Sequence, residues 1–430
     1  MVLGWKRAAL IGVSALALGN CVDTARDARA AAPSAQVANA DLAQCFEEQA
    51  KLVPFSGVVV MDRSGATFSR AAGTADGEEQ IPVTRATQFR LASVQKVLTK
   101  IAIGRLVDQG KLTFDAPISR FLKGLPAELG AVTVEQLLHH RSGVSGFLGV
   151  GPELGSRLAQ ATTATDLLPL IVAEPLEFRP GEREAYSNGG YWVLGAVIEA
   201  ITGKSYGQYL DESIYRPLGM SASGLVSGDA TAVRKTRMAP PGSPPFPEPR
   251  PVIFSPELRG TPSGDGVSTA DDMMKLGKAL LSGSFVQAPT LARLFPSRPG
   301  EPQRFGQSGG SLGTNTDFAV YPQSGLVSIV LSNYDPPAGD GMGRVLRQAA
   351  LGMGCKPLRA EDIPGPGGGP RMGPGPGPRM GPPPGPGGPG PAPRMGPPPG
   401  PGGPGPRLGP PPGSGGPGPR PGPPSEPRRN

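Results

Sequence analysis

The sequence predicts an α+β fold: an antiparallel sheet assembled from both ends of the chain, flanked by N- and C-terminal helices, with a helical region inserted between. Three observations predict it. A hairpin pattern lies near the N-terminus, a second hairpin pattern lies late in the chain, and the segments between them carry apolar residues at helical spacing. The 430 residues suffice for a large core, provided that apolar residues are dense enough to fill it.

The elements follow in order. Residues 21–40 are Ala-rich and polar and read as a flexible spacer, and a helix pattern runs from Asp41 to about Lys51. Phe55 to Met61 reads as a strand, Asp62-Arg63-Ser64-Gly65 as a turn and Ala66 to Arg70 as the returning strand. From Ser93 to Gln109, Val97, Leu98, Ile101, Leu106 and Val107 recur at helical spacing before Gly110, which predicts a helix with one face in the core. Helical patterns return at Val134 to His140, Gly189 to Thr202 and Ala270 to Leu281. Before the last of these, Ser268 with Asp271, or Thr269 with Asp272, fits a capping box. Thr316 to Tyr321 and Leu326 to Leu331 bracket Pro322-Gln323-Ser324-Gly325 as the second hairpin, and Gly341 to Gly354 reads as a closing helix.

Residues 364–430 cannot bury a core. They consist of Pro/Gly runs such as Gly381-Pro382-Pro383-Pro384-Gly385, with Arg-Met-Gly or Arg-Leu-Gly recurring, and read as a disordered tail with polyproline II character. The chain's net charge is +7, and the tail, with seven arginines against Glu426, carries +6 of it. The remainder is near neutral, which argues against a nucleic-acid-binding fold. A weak contact of the tail with anionic cell-envelope polymers is the electrostatic partner left, beside the plainer reading of a solvated spacer.

At the other end, Lys6 and Arg7 precede an apolar run from Ala8 to Leu18, so residues 1–20 read as a secretory signal. The protein is therefore expected to be exported, to the periplasm or cell envelope. Leu18-Gly19-Asn20-Cys21 resembles a lipoprotein cleavage site except at Asn20, which makes Cys21 a candidate for lipidation. Cleavage after Gly19, or near Ala28-Arg29-Ala30, would instead release the protein. Two further cysteines, Cys45 and Cys355, read equally as a disulfide pair or as two separate buried thiols.

Three short segments carry chemistry. Ser93-Val94-Gln95-Lys96 places a hydroxyl and an amine three residues apart, on one face of a helix. A serine is a poor nucleophile until a neighbour takes its proton, and a desolvated lysine can do so. Tyr186-Ser187-Asn188 offers a phenol, as phenolate or proton relay, and a carboxamide to hold Lys96 and substrate. Gln307-Ser308-Gly309-Gly310, at the start of a strand, lets substrate lie against backbone, with the Gly310 N–H joining that of Ser93 in an oxyanion hole. No cluster has metal-ligand spacing, and the chemistry calls for no metal or cofactor.

Together, in this order, the three segments resemble the serine β-lactamase and penicillin-binding-protein superfamily. The likeness is to the branch holding class C β-lactamases, family VIII-type esterases, D-aminopeptidases and DD-carboxypeptidases. Phe55-Ser56-Gly57-Val58, Leu137-Leu138-His139-His140-Arg141-Ser142-Gly143, Pro217-Leu218-Gly219-Met220 and Leu331-Ser332-Asn333 extend it over roughly Asp41 to Cys355. The resemblance implies a β-lactamase/transpeptidase-like domain over residues 41–358, and catalytic roles for Ser93, Lys96 and Tyr186. It also implies substrate or oxyanion roles for Asn188, Gln307, Ser308, Gly309 and Gly310. Because the terminal helices of that fold pack side by side, it implies that Cys45 and Cys355 are paired. The expected partner is a small-molecule or peptide substrate.

One departure stands out: that branch usually has Lys or His where this chain has Gln307. Without that cation a substrate carboxylate loses a charge-assisted bond, so an uncharged ester or amide is favoured over efficient β-lactam hydrolysis. The alternative is a cell-envelope binding protein that keeps the fold with little or no turnover, working through its basic tail.

Overall fold

The computed structural model describes residues 35–76, 81–146, 156–225 except 159, 237–238, 250–251, and 260–363 except 265 and 312. Residues 1–34, with the expected signal segment and Cys21, and the tail from Pro364 therefore lie outside the described residues.

Five strands form the main sheet: β1 Gly57–Arg63, β2 Ala66–Ala72, β3 Phe305–Ser311, β4 Thr314–Tyr321 and β5 Leu326–Ser332. All neighbours are antiparallel, in the order β3-β4-β5-β1-β2. The N-terminal hairpin thus joins the C-terminal one through β1 and β5, with Gly57 opposite Ser332 and Arg63 opposite Leu326. Both ends of the chain must be in place before this sheet exists.

Each face of the sheet is covered, which is why β1 reads as the continuous run Val58-Val59-Val60-Met61 and not as an alternation. Val59 and Met61 join Val330 under helices α1, Ala35–Leu52, and α5, Ala338–Ala350, whose Leu42, Phe46, Met342, Val345 and Leu346 fill that layer. Val58 and Val60 face the opposite way. There they join Phe318, Ile329 and Leu331 in the larger core, with α2, Gln95–Asp108, α3, Gly189–Thr202, and α4, Ala270–Ser282.

Three sequence expectations are corrected. Helix α1 begins at Ala35, so residues 35–40 of the expected spacer are helical; their alanines are strong helix formers. Helix α5 starts and stops a few residues before the expected span Gly341 to Gly354, and glycines with positive φ, Gly352 and Gly354, follow it. Helix α2 buries far more than one face: Gln95, Lys96 and Thr99 are interior along with its aliphatic residues. Two of its buried polar side chains donate hydrogen bonds, Gln95 Nε2 to the Tyr206 hydroxyl at 2.8 Å and the Thr99 hydroxyl to the Pro262 carbonyl at 2.7 Å. Of the two capping pairs, Thr269 with Asp272 forms, the Thr269 hydroxyl accepting the Asp272 N–H at 3.2 Å.

Cys45 on α1 and Cys355 beyond α5 are joined in a disulfide, resolving the two readings left by the sequence. It closes a loop across 310 residues. Long loops give the largest entropic gains, so replacing both cysteines with serine is expected to lower stability by about 2–4 kcal/mol. Urea unfolding measures that loss. Free reaction of Cys45 and Cys355 with a thiol reagent in the unreduced, unfolded protein would refute the link.

Candidate active site

Ser93 sits in a single 3-10 turn, Ala92–Val94, that leads into α2. The residue before it, Ala92, has φ of +43°, a left-handed conformation that costs a residue with a Cβ about 1–2 kcal/mol. Neighbouring segments hold it there. The Leu91 N–H donates to the Gly266 carbonyl at 2.7 Å, and the Leu91 carbonyl accepts from the Val94 N–H at 3.0 Å and the Thr316 hydroxyl at 2.8 Å.

One helical turn on, Lys96 is fully buried. Its Nζ donates to Ser93 Oγ at 3.3 Å, Asn188 Oδ1 at 2.8 Å and the Ser263 carbonyl at 2.5 Å. These three acceptors are uncharged. The amine also lies 4.8 Å from the centre of the Tyr186 ring and 5.3 Å from that of Tyr191. Burial disfavours the charged form of an amine while ring faces favour it, so the site balances two opposed effects on one nitrogen.

The Tyr186 hydroxyl lies 2.6 Å from Ser93 Oγ and hydrogen-bonds the Gln307 side chain as well. Burial raises the phenol above its ordinary value, outweighing both hydrogen bonds. That direction favours the neutral phenol, the form suited to a proton relay. Tyr186 and Asn188 both turn toward Ser93 and Lys96. Ser187 between them turns away, its hydroxyl donating to the Ser145 carbonyl at 2.9 Å and accepting the Gly190 N–H at 2.8 Å.

Strand β3 is one of the two edges of the sheet, and it passes directly against Ser93. A Cβ at Gly309 would stand 2.8 Å from Ser93 N and 2.7 Å from the Leu91 carbonyl, so only glycine permits this approach. The Gly309 carbonyl is held by Asn315 Nδ2 at 3.0 Å, and Gly310 follows it. Gln307 and Gly309 share the face toward Ser93, as the two-residue period of a strand requires. Ser308 is different. Its hydroxyl donates to Asp317 Oδ1 at 2.8 Å, beside Arg304 and Arg347, so the expected substrate contact is replaced by a tie to a buried acid on the other face.

Residues that the sequence did not single out complete the site. The Ser263 carbonyl arrives from a turn closed by the Thr261 and Gly264 bridge, a Pro-Ser-Gly signal that marks a turn but not its destination. His140 lies 4.6 Å from Tyr186 and 5.3 Å from Tyr191, ring centre to ring centre, and its Nδ1 accepts the Ser187 N–H at 3.1 Å.

A sequence model of the beta-lactamase family matches residues 42–352 of this chain. The chain belongs to the beta-lactamase family. Within that family it is 37% identical over 186 residues to the esterase EstB of Burkholderia gladioli, covering 40% of this chain and 47% of the relative. It is 31% identical over 180 residues to penicillin-binding protein 4* of Bacillus subtilis, covering 41% of this chain and 39% of the relative. The chain thus matches less than half the length of these two relatives. The crystal structure of a penicillin-binding protein from Bacillus halodurans superimposes with a TM-score of 0.61 at 27% identity, covering 73% of this chain and 98% of that one. The β-lactamase/transpeptidase-like fold expected from the motifs is the fold observed.

This family member has two histidines, His139 and His140, and both are partly buried. Burial foremost, then the charge of Lys100, pushes His139 down to about 4. Burial and Lys96 push His140 down to about 3. Unfolded imidazoles titrate near 6.5, so these rings contribute stability that is complete above about pH 6.5 and lost as pH falls toward 4. Asp335 and Asp340, raised to about 6 by burial, act with the opposite sign. A His139→Gln, His140→Asn variant is expected to lose about 2–5 kcal/mol less than the wild type between pH 7 and pH 4.5, read from urea midpoints. Identical losses in the two proteins would contradict the assignment.

Proposed function

We propose that the chain is an exported serine hydrolase that forms an acyl-enzyme on Ser93 and passes the acyl group to water, with an ester or amide as substrate. One observation carries this reading: Ser93 Oγ lies within hydrogen-bond reach of both a buried lysine and a neutral tyrosine. The relatives, one named an esterase and one a penicillin-binding protein, support the reaction class.

In its uncharged form, with its lone pair turned to the Ser93 hydroxyl, Lys96 takes the Ser93 proton as Oγ bonds to the substrate carbonyl carbon and the carbonyl π electrons move to oxygen. The backbone N–H groups of Ser93 and Gly310 receive that oxyanion. The closeness of Gly309 to Ser93 N supports the pairing. Collapse of the intermediate breaks the bond to the leaving group, which departs with the proton from Lys96, relayed by the Tyr186 hydroxyl. Water then attacks the acyl carbon, activated through the Tyr186 hydroxyl with its proton passing to Lys96; Oγ leaves as the C–O bond breaks and regains that proton, releasing the acid and free Ser93.

Export is supported by the charged and apolar start of the sequence, and by the disulfide, which persists in oxidising compartments.

Two outcomes test the reading. Ser93→Ala is expected to abolish labelling by a fluorophosphonate probe, with wild-type adduct mass confined to the peptide holding Ser93. Undiminished labelling of the variant would remove Ser93 from the role, and an unlabelled wild type would favour the alternative of a binding protein without turnover. Gln307→Lys restores a cation where a substrate carboxylate would lie. It is expected to raise kcat/KM for nitrocefin relative to p-nitrophenyl butyrate about tenfold, the worth of about 1.4 kcal/mol. An unchanged ratio would mean that position 307 does not set the preference for uncharged substrates.

A further inference from the structure

The segment that carries Tyr186 and Asn188 has no strand or helix of its own; it is laced to the segment before it. The Ala185 N–H donates to the His140 carbonyl at 2.9 Å, the Gly181 N–H to the Arg141 carbonyl at 2.7 Å, and the Asn188 N–H to the Gly146 carbonyl at 3.3 Å. Within this lacing the Ser187 N–H alone is recorded with a side-chain acceptor, His140 Nδ1. That N–H belongs to the peptide linking Tyr186 to Ser187. Its direction therefore fixes where Tyr186 ends and Asn188 begins.

We propose that His140 is a positioning residue for the Ser93 chemistry: by accepting the Ser187 N–H at Nδ1, it sets the peptide between the two side chains that face Ser93 and Lys96.

Three features support this. First, the backbone of His140 has φ of +57°, uncommon for a residue with a Cβ. In that conformation its carbonyl meets Ala185 while its side chain meets Ser187. Second, the same ring packs against Tyr186 and Tyr191, so the acceptor and the support of the phenol are one rigid group. Third, the groups that face the imidazole keep it neutral. Lys96 and Lys100 from α2 and the adjacent His139 oppose a second proton, and burial opposes it further. Its proton therefore rests on Nε2, leaving Nδ1 free to accept.

Removing the acceptor would leave a buried N–H unpaired, and the peptide would turn to find another partner. A displacement of about 1 Å at the phenol can cost on the order of 100-fold in rate. The inference rests on the acyl-transfer reading, since it concerns the rate of that step.

The test uses the full chain, with p-nitrophenyl butyrate as substrate and kcat expressed per Ser93 titrated by a fluorophosphonate. Phenylalanine keeps a ring but cannot accept, whereas asparagine offers an oxygen near the Nδ1 position. His140→Phe is expected to lower per-site kcat about 10- to 100-fold with KM changed by less than about threefold, and His140→Asn to recover to within about fivefold of wild type. A purely structural role would lower the titratable fraction and leave the per-site rate alone. His140→Phe at the wild-type per-site rate, or His140→Asn as impaired as His140→Phe, overturns the inference. Should the phenylalanine variant not fold, His140→Ala takes its place with the same expectations. Nitrogen NMR of the wild type is an independent arm, expected to find the proton on Nε2; a proton on Nδ1 overturns the inference whatever the variants do. An unlabelled wild type would sink acyl transfer itself, whereas a labelled wild type with equal per-site rates throughout would sink only the role of His140.

Discussion

The site depends on one constraint: the Lys96 amine is enclosed and must find its hydrogen-bond acceptors inside the protein. It finds them on segments far apart in the chain. Ser93 comes from the turn before α2, Asn188 from the start of α3 and the Ser263 carbonyl from a turn that precedes α4. Each must arrive within about 3 Å for the amine to be satisfied. Satisfying that nitrogen and assembling the site are consequently the same event. Loss of any one acceptor leaves a buried polar group short of a partner, which links the stability of the helical region to the geometry around Ser93.

The sheet supplies the other half of the constraint. Because β1 pairs with β5, the N-terminal hairpin and the C-terminal strands form one platform, with β3 at one edge and β2 at the other. An edge strand has backbone groups unpaired on one side, an exposure that most proteins cover or blunt. Here the edge is set against Ser93 by the absence of a side chain at Gly309, and fastened by Thr316 to Leu91 and by Asn315 to the Gly309 carbonyl. The strain at Ala92 is sustained by the same contacts. A strained turn with few anchors would relax; this one is braced from β4 and from the Gly266 strand.

Much of this was legible in the sequence, and the reasons are physical. Ser93 with Lys96, and Tyr186 with Asn188, are short-range patterns whose offsets survive folding, so their meeting was readable from spacing and resemblance. Periodicity located α3 within its observed bounds. What escaped was of three kinds. The Ser263 carbonyl is a backbone atom, which no residue identity announces. His140 lay in a quoted motif but drew no role, because its function depends on where the Ser187 N–H points. For Ser308 the sequence did contain the reason: once Gln307 and Gly309 face Ser93, strand alternation turns the residue between them to the opposite face, where its hydroxyl meets Asp317. The burial of α2 was missed because polar residues in a helix suggest an exposed side, whereas Gln95 and Thr99 are paid for by partners contributed from elsewhere.

Gln307 ties these observations to chemistry. A lysine at that position would place a charge beside the Tyr186 hydroxyl, and a nearby cation draws a phenol toward its ionised form. A carboxamide offers a hydrogen bond without the charge, and burial then dominates, leaving Tyr186 above its ordinary value. A phenol so held is a poor base and a good relay. In the proposed mechanism the duty of accepting the Ser93 proton then falls to Lys96, whose Nζ also lies within reach of Oγ. The substitution that weakens the grip on a substrate carboxylate thus also separates the two proton-handling roles, assigning one to the amine and the other to the phenol.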